Sequence, residues 1–329
     1  MAPSVSSIRT QFFPPKPQFT EKDAGSLRGK VYIVTGVNSD VGRELARLLY
    51  SKNGKVYVTT LFEETVKEII RSIKRSSPKS SGSLIFLPLN LGNLSSIKSS
   101  VEQFLAAETK LHVLFNNAGH RNLEGTIERT ASGYEKHLQL NCLGTFLFTK
   151  LLGPILTATA NDRKTPPNTV RTIFLSSCAA ELFGEKDTGF NMDNLDYHKE
   201  MPTRYCYGIS KLGNWAYAVE LPKHFKGVIG VPVNPGHLRT DKCYYTGKIP
   251  QWLAEPFHSP AVNGAYALFW AGVSPDVTAT ESGHYVIPFG RFHPIRHDLN
   301  AATKSEAEGG NGTTAKFWDW SEAQIAEFS

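Results

Sequence analysis

Seven short runs rich in β-branched and apolar residues punctuate this chain, and helical stretches separate them in a regular alternation. The runs are residues 30–36 (KVYIVTG), 55–60 (KVYVTT), 83–89 (SLIFLPL), 111–117 (LHVLFNN), 169–177 (TVRTIFLSS), 227–234 (GVIGVPVN) and 283–290 (GHYVIPFG). They are apolar on both faces, whereas a strand with one wet face alternates apolar and polar positions. Strands hidden on both sides belong to a parallel sheet covered by helices, so the expected fold class is α/β. The pattern predicts a single doubly wound parallel sheet of about seven strands with helices on both faces. Ligands of such sheets lie outside the carboxyl ends of the strands, and the polar residues there carry the chemistry.

The rest of the sequence narrows what those ends can serve. At 329 residues the chain can bury one large core. The +6 formal charge is modest and, apart from a short basic run from Lys67 to Lys79, its lysines are spread along helices, which argues against a nucleic-acid partner. Cys142, Cys178, Cys206 and Cys243 have no metal-ligand spacing, so free thiols and no metal are expected. The N-terminus lacks the apolar core of a secretory signal, and no apolar run approaches the ~18 residues of a membrane span. A cytoplasmic protein without a transmembrane segment is therefore expected.

Four polar elements fall at strand ends or on the helix that follows. They are TGVNSDVG (35–42), NNAG (116–119), the serine pair 176–177, and YGISK (207–211). Tyr207 and Lys211 are four residues apart and share a helix face. An ammonium near a phenol favours phenolate and fits the tyrosine for acid/base work, with a Ser177 hydroxyl placed to orient a carbonyl or alcohol. Each element alone is weak, since YxxxK also describes an exposed helix with a packed tyrosine. Together, in this order, they are specific.

With LNCLG (140–144) and NPGHLRT (234–240), these motifs resemble the short-chain dehydrogenase/reductase family of the classical type, in particular its retinol-dehydrogenase-like, fungal branch. The resemblance spans about residues 30–296 and implies a Rossmann-type fold and a hydride-transferring oxidoreductase acting on a carbonyl or alcohol. It implies Tyr207 as general acid/base and Lys211 as the residue that lowers its pKa and holds the cofactor ribose. It implies Ser177 for positioning the reacting oxygen, and Asn141 for holding a water in a proton relay. Gly36, Ser39 and Val41 match the phosphate loop, Asn117, Ala118 and Gly119 the segment beside the cofactor, and Pro235, Gly236 and Thr240 the segment that seats the nicotinamide. The domain expectation is a surface arm over 1–29, a catalytic domain over 30–300, and a tail over 301–329 whose short amphipathic helix packs Phe317, Trp318 and Trp320 onto the body. The separation of 30 positions from Ser177 to Tyr207 suits this branch, and the extra segment is expected to wall the substrate site. A lid over 241–259 would oppose it, with Tyr244, Tyr245 and Trp252 lining an apolar pocket; those aromatics could equally pack the lid onto the core. His120 and His237 are candidates for contact with substrate or cofactor, though a histidine bonded to a loop carbonyl would read the same. Pro222 is expected to end or kink the helix after Lys211. The resemblance also admits a homodimer.

Three departures cluster on the cofactor side. Asp40 replaces the middle glycine of the phosphate loop. Leu61 stands where NADP-preferring relatives often carry arginine. Asn90 stands where an aspartate usually meets the adenine, and can still accept through its amide oxygen. Thr59 and Thr60 present no carboxylate to repel a 2′-phosphate, and Thr60 and Ser39 could donate to one, so NADP(H) is slightly favoured over NAD(H). Asp40 weighs most: at ~5 Å and an effective dielectric near 20, its repulsion of one phosphate charge is about 3 kcal/mol. A carboxylate turned to solvent or to Arg43 would cut that cost. The expected function is an oxidoreductase on a hydrophobic small molecule. The alternatives are a non-redox isomerase, dehydratase or cyclase on the same scaffold, and a non-catalytic ligand sensor.

Overall fold

Val31–Thr35 supplies five consecutive apolar or β-branched residues, and all five are buried in the first strand. The computed structural model describes residues 3–239 and 259–329. In chain order they form α1 (Val5–Phe12), β1 (Val31–Thr35), α2 (Asp40–Ser51), β2 (Lys55–Thr60), α3 (Glu63–Ser76), β3 (Ser83–Pro88), α4 (Leu94–Ala107) and β4 (Val113–Asn116). A π-helical turn (Leu138–Leu143) then runs into α5 (Gly144–Asn161), followed by β5 (Arg171–Leu175), α6 (Cys178–Phe183), α7 (Thr203–His224), β6 (Ile229–Val233) and β7 (Leu238–Arg239). Beyond residue 258 come β8 (Ser259–Pro260), α8 (Ala261–Val273), β9 (Val286–Ile287), β10 (Arg291–Phe292) and α9 (Thr313–Ile325).

The central sheet has eight strands rather than about seven, in the order β10-β9-β6-β5-β4-β1-β2-β3. All neighbours are parallel except β9 and β10. The difference lies in the last run: Pro288 interrupts it, and the chain turns back through Gly290, whose amide donates to the Ile287 carbonyl at 3.1 Å. A two-residue antiparallel edge strand results. The strand order reverses between β2 and β4 on either side of β1, which opens the crevice where doubly wound sheets hold ligands.

Each face of the sheet carries its own apolar core. Leu45 and Leu48 of α2, Ile69 of α3 and Leu268 of α8 fill one face. Ile97 and Phe104 of α4, Phe146 of α5 and Trp215 of α7 fill the other. The tail helix α9 adds to this second core, with Trp318 edge-on to Phe146 at 4.7 Å and Phe317 stacked on Phe190 at 4.3 Å. Trp320 lies against Phe317 of the same helix, so Phe317 and Trp318 are the two tail aromatics that these contacts place on the body. Leu138–Asn161 is long and apolar enough to cross a membrane by length and composition, but 72% of its most apolar window is buried inside the protein. Pro222 does not stop α7, which runs two residues further to His224. The carbonyl that Pro222 leaves without its helical donor, on Ala218, faces β6, where a Cβ on Gly230 would lie 2.0 Å from it.

Candidate active site

The turn after β1 is shaped by close approach. Gly36 has φ +70°, and a Cβ there would lie 2.8 Å from Cα of Ala118. A Cβ on Gly42 would meet the Gly36 carbonyl and the Asn117 amide nitrogen, both at 2.6 Å. Only glycine fits either place. Ser39 caps α2: its hydroxyl accepts from the Gly42 amide at 3.1 Å and donates to the Gly36 carbonyl at 2.8 Å. That proton is therefore committed within the loop, which removes Ser39 as a donor to a 2′-phosphate. Asn117 ties the ends of β1 and β4 together, its Nδ2 donating to the Thr35 carbonyl at 2.8 Å. Its buried Oδ1 has no hydrogen-bond partner among the described residues. Val41 is buried and packs in the core, so only its backbone amide can serve an anion.

Asp40 is the first residue of α2, where the amides of the opening turn lack intrahelical partners and the helix dipole favours a negative charge. Its carboxylate pairs with Arg43 one turn on, and its side chain is 15% exposed. The charge that threatened a pyrophosphate is thus paired with a cation. At the end of β2, Thr59 and Thr60 are buried while Leu61 and Phe62 are exposed. The Asn90 oxygen accepts from the Gly92 amide at 2.9 Å, so one lone pair remains for another donor.

The second cluster gathers at the ends of β4 and β5 and on α7. Ser177 ends the β5 segment and caps α6, its hydroxyl accepting from the Ala179 amide at 3.2 Å. Lys211 is buried, and its Nζ donates to the Leu175 carbonyl at 2.9 Å. The same Nζ stands 5.8 Å from the centroid of the Tyr207 ring and 3.3 Å from where a Cβ on Gly119 would begin. Asn141 sits in the π-helical turn and is fully buried. Its Nδ2 donates to the His120 carbonyl at 3.0 Å and to the Ser210 hydroxyl at 2.9 Å, and its Oδ1 accepts the His120 amide at 2.6 Å. The side chain thereby fixes the loop after Gly119, and it has little capacity left for a water. Pro235 and Gly236 follow β6, with the Gly236 amide donating to Asn234 Oδ1 at 3.0 Å.

Burial dominates the electrostatics. It pushes the Lys211 ammonium down to about 8, and the positive charge of Arg121 adds to that push. It raises the Tyr207 phenol above its ordinary value, while the Arg121 charge and a hydrogen bond from Ser177 work the other way. Without ligand, the pair favours a neutral phenol beside an ammonium that is easily discharged. His120 is held down at about 4, chiefly by burial, and is neutral across the physiological range.

Sequence reasoning missed three participants. His137 lies edge-on to the Tyr207 ring at 5.7 Å and 4.9 Å from the His120 ring. Its Nε2 accepts the Asn122 amide at 3.1 Å, so its proton is on Nδ1, which meets the buried carboxylate of Glu135 at 2.6 Å. With both nitrogens engaged, His137 is a fixed wall beside Tyr207. Arg121 is exposed, yet its charge reaches Tyr207 and Lys211. Gln11 of α1 is buried against Asn234 and Glu181. The first two sit a few residues from motifs that were read, in segments with no pattern of their own. His237 packs its ring on Phe12 at 4.3 Å. Thr240, Tyr244, Tyr245 and Trp252 lie outside the described residues, as does the span expected to form the lid apart from its last residue.

The short chain dehydrogenase family model matches residues 30–177. A short-chain dehydrogenase/reductase of Neocamarosporium betae is 44% identical over 98% of this chain and 94% of its own length. Another, from Phomopsis amygdali, is 42% identical over 99% of this chain and 98% of its own. Among solved structures, the Pseudomonas aeruginosa RhlG/NADP active-site complex superposes with a TM-score of 0.62 at 20% identity, covering 82% of this chain and 98% of that one. At that identity the likeness is one of fold.

Proposed function

Since this chain belongs to the short-chain dehydrogenase/reductase family of oxidoreductases, we propose that it interconverts a carbonyl and an alcohol on a hydrophobic small molecule. The nicotinamide dinucleotide that the family implies would exchange the hydride with the substrate carbon. The residues present suit that group: the glycine cradle at Gly36 and Gly42, the capped N-terminus of α2, and Oδ1 of Asn117, unpartnered among the described residues, which can accept from a hydroxyl or amino group. NADP(H) is preferred over NAD(H) because the end of β2 carries Thr59, Thr60 and Leu61 in place of a carboxylate.

The observation that carries this reading is the buried Lys211 ammonium, set between the Tyr207 ring and Gly119. In the direction of reduction, the neutral Tyr207 donates its proton to the substrate oxygen while the Ser177 hydroxyl holds that oxygen in place. The phenolate left behind is stabilised by Lys211 and by the charge of Arg121. Lys211, poised at about 8, can return a proton toward Tyr207. An apolar substrate is supported by Leu182, 47% exposed on the helix that Ser177 caps, and by Phe12 beside the Pro235–Gly236 turn.

Titration of the pure protein with NADH and NADPH, read by nicotinamide fluorescence, is the direct test. Binding of NADPH more tightly than NADH is expected. Failure to bind either at millimolar concentration would sink the proposal. Substrate turnover with no change in nicotinamide absorbance would instead point to the non-redox alternative.

A further inference from the structure

We propose that Gln11, on the N-terminal helix α1, couples the helix capped by Ser177 to the turn that seats the nicotinamide, and is a positioning residue for hydride transfer. Its functional step rests on the oxidoreductase reading above; the coupling itself does not.

Gln11 is 3% exposed. Its Nε2 donates to Glu181 Oε2 at 2.7 Å and to the Ser7 hydroxyl at 3.1 Å, and its Oε1 accepts from Asn234 Nδ2 at 2.8 Å. The directions follow from the Gly236 end. The Gly236 amide can only donate, so Asn234 turns its oxygen toward it and its Nδ2 toward Gln11. With its oxygen taken by Asn234, Gln11 turns its Nε2, which can only donate, to Glu181 Oε2. The result is a directed, largely buried chain from Glu181 through Gln11 and Asn234 to the backbone of Gly236. Glu181 is one turn past Ser177 on α6, and its other oxygen accepts the Arg296 amide at 2.8 Å. Gly236 is tightly packed as well, since a Cβ on it would lie 2.9 Å from Pro288 Cγ.

Two further contacts hold α1 in place. The Arg291 guanidinium donates to the Thr10 hydroxyl at 3.0 Å and to its carbonyl at 2.9 Å, and Phe12 packs on His237. A helix that precedes the sheet therefore touches α6, the 234–237 turn and β10. Removing the Gln11 amide strips Asn234 and Glu181 of a buried partner and frees Ser177 and the nicotinamide turn to move independently. Hydride transfer is sensitive to that: a misplacement of ~1 Å costs about 100-fold in rate.

The test compares full-length wild type with Gln11→Met, which keeps the length and loses the polar atoms, and with Val5→Ser, an exposed change on the same helix. In the free protein, amide exchange in residues 230–239 and 176–184 is expected to speed up at least ~10-fold in Gln11→Met and stay unchanged in Val5→Ser. In turnover, kcat is expected to fall about 30-fold with little change in KM. NADPH should bind more weakly and lose its nicotinamide fluorescence enhancement, while 2′-phospho-ADP-ribose, which lacks the nicotinamide, keeps its affinity. Unchanged exchange in both segments overturns the coupling. Equal weakening of NADPH and the fragment, with a lowered melting temperature, assigns Gln11 a merely structural role and overturns the positioning. If Gln11→Met does not fold, Gln11→Asn, too short to span both partners, takes its place with the same expected results. If wild type binds no dinucleotide, the oxidoreductase reading fails, and the exchange measurement alone decides the coupling.

Discussion

Around Tyr207 the polar groups are buried and bonded within the protein; around Asp40 they sit at a helix terminus and hold one another by charge. Lys211 and Asn141 are 3% and 0% exposed, each with protein partners at 2.9 Å, so this half gains its order from burial and gives it up only with the fold. The turn after β1 instead depends on backbone approach at Gly36 and Gly42 and on the Asp40–Arg43 pair, whose members are 15% and 41% exposed. Under the proposed function, chemistry at the first place would depend on which groups burial keeps neutral. Dinucleotide affinity at the second would depend on a charge balance that one substitution can upset.

The largest expected effect is at the first place. Tyr207→Phe should lower turnover by ~10³-fold, within the range for loss of a general acid, and leave dinucleotide affinity within a few-fold. Substantial residual turnover would remove Tyr207 from the acid/base role and level the contrast. Arg43→Ala should come next. It removes the Arg43 cation from beside the Asp40 carboxylate, and NADPH affinity should fall by up to ~100-fold at low salt, less as salt screens the charge. Asp40→Gly is expected to tighten NADPH by only a few-fold, because the pairing already offsets most of the repulsion. A 100-fold gain would show that Arg43 does not shield the site.

The smallest effect is a pH dependence of stability. Lys211 is held at about 8 in the native state against an ordinary 10.5. Between those values the unfolded chain binds more protons, so stability rises with pH across the window, and below about 8 the buried ammonium is a cost. Urea unfolding of Lys211→Met should show higher stability than wild type near pH 7 and a difference that shrinks toward pH 10.5. A constant difference would mean that Lys211 titrates normally.

Much of the fold was legible in the chain. β2 runs over Lys55–Thr60, as its six-residue pattern predicts, and the first six runs hold strands within two residues of the expected ends. Burial on both faces leaves a local signature that needs no partner to be read. The seventh run does hold a strand, β9, but the antiparallel edge strand β10 that follows it was not legible, because that turn-back depends on Pro288, Gly290 and pairing at the sheet edge. The local geometry of the candidate site was legible where one turn of chain holds it, as with Tyr207 and Lys211 on α7. Asp40 was legible as an anomaly only, since the sequence named Arg43 as one possible partner and solvent as another.

What the sequence by itself determined was the architecture and the set of polar residues at the strand ends, because strand periodicity and helix spacing are properties of neighbouring residues. Tertiary structure alone decided what surrounds them. Gln11 meets Glu181 and Asn234 across 170 and 223 positions, and His137, held by Glu135, reaches Tyr207 from an otherwise unpatterned segment. No local preference encodes such contacts. They exist because packing two helical layers on one sheet brings those groups to its carboxyl edge, where burial then obliges each polar atom to find a partner.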